Sequence, residues 1–153
     1  MPIDVSTSAV IGRPVAVVSS YAADPANAPD WYRNIQSATW QTDPPIRIGS
    51  RIAFVARFLG RRLEYVYEVT DLIPGQRLVM QTEQGPFPME TTYTWTAAGP
   101  EATDMSLRNR GEPAGFASVA APVMASAVRR ATQSDLRRLK SLLESERFAP
   151  PMR

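Results

Sequence analysis

Two residue types are missing from this 153-residue chain altogether: it has no cysteine and no histidine. Without cysteine there is no disulfide framework, no thiolate nucleophile and no cysteine-ligated metal. Without histidine the commonest general base and the commonest metal ligand are gone as well. Charge of one sign is also scarce. Lys and Arg number 17 against 15 Asp and Glu, a net +2, and the arginines interleave with acids, as in Arg61-Arg62-Leu63-Glu64. Nucleic-acid binding calls for a clustered basic patch with stacking aromatics, absent here outside the C-terminal segment, so no nucleic-acid partner is expected. No run approaches the ~20 apolar residues of a membrane span. Residues 1–6 lack the basic start and continuous apolar stretch of a signal peptide, so a cytoplasmic location is expected. The chain has no GxxxxGK loop, no HExxH, no GxSxG and no carboxylate cluster at metal spacing, and neither metal nor cofactor is expected.

What the chain does have is patterning. At 44% apolar and 21% charged residues its composition is that of a globular protein, and 153 residues suffice for one domain with a real core. A single domain over 1–153 is expected, with 147–153 (RFAPPMR) a frayed tail. Ile3, Val5, Thr7 and Ala9 alternate with Asp4, Ser6 and Ser8, a strand's period. Pro14 suits the first turn of a short helix over 14–22, which Asp24-Pro25 stops. Asp30 is then placed as the cap of a second short helix carrying Trp31. Six further strands are predicted at 35–42, 51–59, 62–72, 77–83, 89–97 and 103–110, bounded by Gly or Pro, and connections this short make neighbours antiparallel.

The last segment changes period. Over about 119–146, Val128, Thr132, Leu136, Leu139 and Leu143 share one helical face, with Arg129, Arg130, Arg137 and Lys140 on the other. Pro122 marks a break or the first turn of this helix, with a short helical piece from about Phe116 before it. The fold class expected is α+β: a helix-grip fold, in which a seven-stranded antiparallel curved sheet wraps a long C-terminal α-helix, with two short helices after the first strand.

That order, together with Arg13-Pro14, Tyr21-Ala22-Ala23-Asp24, Trp31, the run 68–79 (EVTDLIPGQRLV), Tyr93-Thr94-Trp95-Thr96 and 135–140 (DLRRLK), resembles the START-like (SRPBCC) superfamily. This superfamily includes the plant pollen-allergen fold and bacterial polyketide cyclase/dehydrase-like proteins. The resemblance covers nearly the whole chain. It implies a cavity for a lipid, polyketide, hormone or other apolar molecule between sheet and helix, and only some members are enzymes, so a reaction does not follow from it.

Strand parity selects the residues facing that cavity: Ile52, Phe54, Ala56 and Phe58; Leu63, Tyr65, Tyr67 and Val69; Leu78, Met80 and Thr82; Met89, Thr91, Tyr93 and Trp95; Thr103, Met105, Leu107 and Asn109. The ligand-binding set drawn from these, the helix and the loop before it is Trp31, Phe54, Phe58, Tyr65, Tyr67, Met80, Met89, Tyr93, Trp95, Met105, Asn109, Val128 and Asp135. Plain core has the same alternation, and a tyrosine can be core with its hydroxyl at the rim. Trp31 and Tyr32 either gate the entrance or, for Trp31, plug one end of the sheet. Asp135 lies at the border of the apolar stripe; an exposed pair with Arg138 is the commoner arrangement, a buried base the other. No catalytic residue is assigned. Three functions follow: binding of a hydrophobic small molecule; a cyclase- or dehydratase-like enzyme using Tyr and Asp as acids and bases; or a module docking the arginine-rich helix face (Arg129, Arg130, Arg137, Arg138, Lys140) on an acidic partner. The chain is expected as a monomer or homodimer.

Overall fold

A computed structural model describes residues 3–58, 60–84, 88–111 and 121–145. Seven strands run in the order they are met along the chain: β1 Ile3–Ile11, β2 Ile35–Trp40, β3 Arg51–Phe58, β4 Arg61–Ile73, β5 Arg77–Gln84, β6 Met89–Ala97 and β7 Thr103–Gly111. They form one antiparallel sheet in the order β1-β7-β6-β5-β4-β3-β2. The short turns predicted between neighbours therefore build a meander, and only β1 pairs far from its chain neighbours, closing on β7. Helix α1 (Val15–Ala23), a 3-10 turn (Pro25–Asn27) and helix α2 (Ala28–Trp31) link β1 to β2, and helix α3 (Ala121–Glu144) lies against the sheet.

Register carries the alternating pattern across the sheet. Val69, Met80, Thr91, Asn109 and Val5 are paired in one row, and Leu78, Tyr93, Leu107 and Thr7 in the next. Since side chains alternate along each strand, these rows lie on one face, the face turned to α3. Register shifts at Val66/Tyr67 and Val69/Asp71 in β4, and at Ile35/Ser37 in β2, bend the sheet around the helix. The curvature leaves room for a helix to be gripped.

Local sequence accounts for the linking elements. Pro14 stands at the N-cap of α1 with φ −60°, and Asp24 ends that helix while its carboxylate accepts the Ala26 N–H at 3.0 Å to start the 3-10 turn. The capping acid is thus Asp24. Asp30, expected in that role, sits within α2, whose cap position is held by Asn27 without a side-chain hydrogen bond. The difference arises because Pro25 opens a 3-10 turn that runs straight into α2 at Ala28, before Asp30 is reached. Pro122 falls in the first turn of α3. The predicted helical piece near Phe116, the ends of the 119–146 helix and the frayed tail lie outside the described residues.

One end of α3 is held tightly. Leu136, Leu139 and Leu143 are buried in the main core with Ile11, Val18 and Leu78. Arg13 Nε donates to the Leu143 carbonyl at 2.6 Å, Gly12 N–H to Glu144 Oε2 at 2.6 Å, and Lys140 Nζ to the Val10 carbonyl at 2.9 Å. A guanidinium on the last carbonyls satisfies groups that a helix leaves open and complements its dipole. Further up, Thr7 donates to Thr132 at 3.1 Å, and Thr132 in turn donates to the Val128 carbonyl at 3.0 Å.

Candidate functional site

Between Met124, which is buried against Ile3 and Leu63, and Asp135, α3 leaves space over the sheet. A cavity of about 150 Å³ remains, walled by Phe54 and Ala56 of β3, Leu63, Tyr65 and Tyr67 of β4, Met80 and Thr82 of β5, Met89, Thr91 and Tyr93 of β6, Asn109 of β7, Tyr32, Asn34 and Ile35 before and at the start of β2, and Met124, Val128, Ala131, Thr132 and Asp135 of α3. Most of this wall is apolar. The sheet side is fixed by an aromatic cluster: Phe54 stacks on Tyr65 (centroids 5.6 Å, 27°), and Tyr67 meets both rings edge-on at 5.7 and 5.2 Å. Such pairs hold ring planes in place beyond what area burial does.

Polar atoms enter this wall in two groups. In the first, Tyr67 Oη lies 2.9 Å from Thr91 Oγ1, and Thr91 donates to Asn109 Oδ1 at 2.7 Å. Thr91 has a single proton to give and gives it to Asn109, so Tyr67 is the donor to Thr91. In the second group, the Tyr32 and Tyr93 hydroxyls meet at 2.5 Å, and Asp135 Oδ1 accepts the Arg33 backbone N–H at 2.9 Å.

Asp135 is only 2% exposed. Burial raises its pKa to about 6, opposed by the Arg33 N–H bond and by the charges of Arg33 and Arg138. Burial likewise pushes the Tyr67 hydroxyl to about 12, against the pull of its Thr91 bond. Tyr32, Tyr65 and Tyr93 are raised too, first by burial and further by the Tyr67 hydroxyl and the Asp135 carboxylate, while the hydrogen bond from Tyr32 pulls Tyr93 back down. At neutral pH the cavity therefore holds neutral phenols and one carboxyl poised near its titration range.

Of the residues expected at the site, Phe54, Tyr65, Tyr67, Met80, Met89, Tyr93, Asn109, Val128 and Asp135 come together on this wall. Trp31 does not. It is 0% exposed and packs behind the wall on Tyr32 (4.1 Å) and Tyr93 (5.8 Å), so it is neither gate nor lining; the four-residue helix carrying it turns it into the core. Met105 is fully buried core, because its row pairs with Ala9 and Trp95 under the packed half of the helix. Trp95 lines a second hollow of about 710 Å³ between α1 (Ser19, Ser20, Ala23) and Trp40, Pro44, Pro45, Ile46 and Leu72. Phe58 ends β3, and its side chain lies outside the described residues.

Asp135 overturns the exposed pairing with Arg138: Arg138 Nε reaches instead to the Asp30 carbonyl at 2.6 Å, and the carboxylate turns inward to the Arg33 amide. A helical wheel gives an angle and cannot say that a loop 102 residues away supplies a donor there. Lys140, placed on the outer face, is likewise taken up by Val10 and Glu144. Sequence reasoning missed Asn34 and Met124 as wall residues and left Tyr32 as a loop aromatic; its partner Tyr93 is 61 residues away, and no local pattern signals the pair.

Comparison with known proteins agrees with this geometry. The family described as polyketide cyclase/dehydrase and lipid transport matches residues 2–144. A search of curated protein sequences finds no match. Among solved structures, a START superfamily protein from Mycobacterium smegmatis superposes with a TM-score of 0.80 at 16% identity, covering 92% of this chain and 97% of that one. The Zhui aromatase/cyclase from Streptomyces sp. R1128 gives 0.77 at 15% identity over 94% of each chain. Ginseng major latex-like protein 151 from Panax ginseng gives 0.76 at 14% identity, covering 94% and 99%. At these identities the structures speak for the fold, and the family match extends over almost all of the chain: it belongs to the polyketide cyclase/dehydrase and lipid transport family and has the helix-grip fold of the START superfamily.

Proposed function

We propose that this protein binds a hydrophobic small molecule of lipid, polyketide or aromatic type in the cavity between its sheet and α3. The observation that carries this reading is the cavity itself: an apolar, aromatic-walled space into which a few polar side chains converge, the usual form of a small-molecule site. The test is thermal unfolding in the presence of neutral apolar compounds graded in size from toluene to a sterol. A ligand that binds only the folded state stabilises it by about 2.7 kcal/mol at a hundredfold excess over Kd. At least one member of the series should raise Tm saturably, and Ala131→Phe, which fills the cavity from the helix side, should abolish the shift. No response to any member rejects the proposal.

A second reading, acid–base catalysis on the bound molecule, is favoured by Asp135, a buried carboxyl on the cavity wall with its pKa raised to about 6. A group that titrates near working pH suits proton transfer. Turnover of a bound substrate should then rise or fall through an apparent pKa near 6, and Asp135→Asn should remove that limb; a profile unchanged in the variant removes Asp135 from the chemistry.

A further inference from the structure

We infer that the cavity selects a single-ring aromatic molecule carrying a hydroxyl group and no negative charge, and discriminates against anions such as fatty acids and aromatic carboxylates. This rests on the reading of the cavity as a ligand site and narrows its ligand class. Three observations support it.

The first is size. At about 150 Å³ the cavity is far from the volume of drug-sized pockets. Cavities of about this volume in other protein cores hold benzene, whereas pockets for larger ligands run from roughly 300 to 1,000 Å³. The wall carries rings held in place by one another, Phe54 with Tyr65 and Tyr67, and Tyr32 with Tyr93, backed by Trp31. The space suits one flat ring.

The second is the hydrogen-bond account. The chain from Tyr67 through Thr91 to Asn109 spends each hydroxyl proton on the next oxygen and ends on the Asn109 amide. The Tyr32 and Tyr93 hydroxyls share one hydrogen bond, which uses one of their two protons and leaves the other. The Tyr65 hydroxyl has ring neighbours but no hydrogen bond among the described residues, and Asp135 Oδ2 accepts none among them either. Two phenolic protons, the side-chain amides of Asn34 and Asn109 and one carboxylate acceptor are thus left over around one small space. A ligand hydroxyl answers donor and acceptor alike, donating to Asp135 and accepting from a tyrosine, while an alkane answers neither. Leaving buried polar groups unpaired is costly, so the discrimination is built in.

The third is charge. Among the described residues that line the cavity there is no arginine or lysine, and its one ionisable acid is Asp135. A ligand carboxylate would meet a second carboxylate in a desolvated space with no cation in the wall, which disfavours it strongly.

The test compares compounds of one ring size by calorimetry at pH 7.5: toluene, p-cresol, 4-methylbenzoate and 4-methylbenzylamine, with palmitate as the large anion. p-Cresol should bind at least tenfold more tightly than toluene, and neither 4-methylbenzoate nor palmitate should bind measurably. Tyr65→Phe and Asp135→Asn should each weaken p-cresol by about five- to thirtyfold, the range of one lost hydrogen bond at a buried site, and leave toluene within about twofold, which shows that the cavity persists. Equal binding of toluene and p-cresol overturns the proposal while the cavity reading stands. Tighter binding of 4-methylbenzoate, palmitate or the protonated amine than of p-cresol also overturns it and names the class that replaces it. If none of the five compounds binds, this proposal falls; the size-graded series decides the cavity reading separately.

Discussion

The two halves of α3 meet the same sheet and do opposite things. From Leu136 to Leu143 the helix is pressed into the core, with its end tied to the β1–α1 corner by Arg13, Gly12 and Lys140. From Met124 to Asp135 it roofs a hollow in which phenols and a carboxyl stand in place of leucines. Both halves carry an apolar stripe at helical spacing. The contrast teaches that a stripe marks which way a helix faces and leaves open whether the space it faces is filled.

The comparison breaks most visibly under truncation. Leu139→Ala, in the packed half, should cost about 2 to 5 kcal/mol, because removed methyl groups leave a void that close-packed neighbours do not fill. Val128→Ala, over the hollow, should cost about 1 kcal/mol or less, since the space beside it is already open. Chemical denaturation of both variants measures this, and equal losses would erase the distinction.

The next effect is electrostatic and belongs to the roofing half alone. The folded protein holds the Asp135 proton up to about pH 6, above the ordinary value of 3.8, so between these pH values the folded state binds more protons than the unfolded one. Stability therefore falls as pH rises from about 4 to about 6, by on the order of 3 kcal/mol from this group, and is flat for it above that range. Asp135→Asn keeps an oxygen for the Arg33 amide and should flatten this part of the stability–pH curve. A wild-type curve that rises steadily from pH 4 to 6, and an unchanged curve in the variant, would show the carboxyl to be solvated.

Smaller effects sharpen the boundary between the halves. Arg13→Met keeps the aliphatic stem and removes the guanidinium from the last carbonyls of α3, which should cost about 1 to 2 kcal/mol. Amide exchange should accelerate at the C-terminal turns and not around Val128. Thr7→Val cuts the strand-to-helix hydrogen bond at Thr132, the point where packing gives way to cavity, and should cost about 0.5 to 1 kcal/mol. Its side effect should be the reverse of the first: faster exchange on the cavity side of Thr132.

Much of this architecture was legible in the residues. Period-two runs separated by Gly and Pro, then a single period of 3.6, suffice for a meander gripped around a helix, because a strand pattern cannot be wound as a helix without burying its polar residues. Parity also placed Phe54, Tyr65, Tyr67, Met80, Tyr93 and Asn109 on the inner face. It could not separate Met80 and Met89, on the cavity wall, from Met105, in solid core, since all three obey the same alternation. Nor could it place Asp30 and Asp24, where two acids compete for capping roles a few residues apart and Pro25 decides.

By itself the sequence determined the order and kind of the elements, which faces turn inward, and the lack of cysteine and histidine chemistry, because these depend on local period and on which atoms are present at all. Only the tertiary structure decided where the inward face is packed and where it is hollow, that Tyr32 meets Tyr93, and that Asp135 turns from Arg138 to a backbone amide. Those outcomes depend on the bend of the sheet and on pairs separated by 61 and 102 residues, and no local pattern records the distance between two surfaces that meet only when the chain has closed.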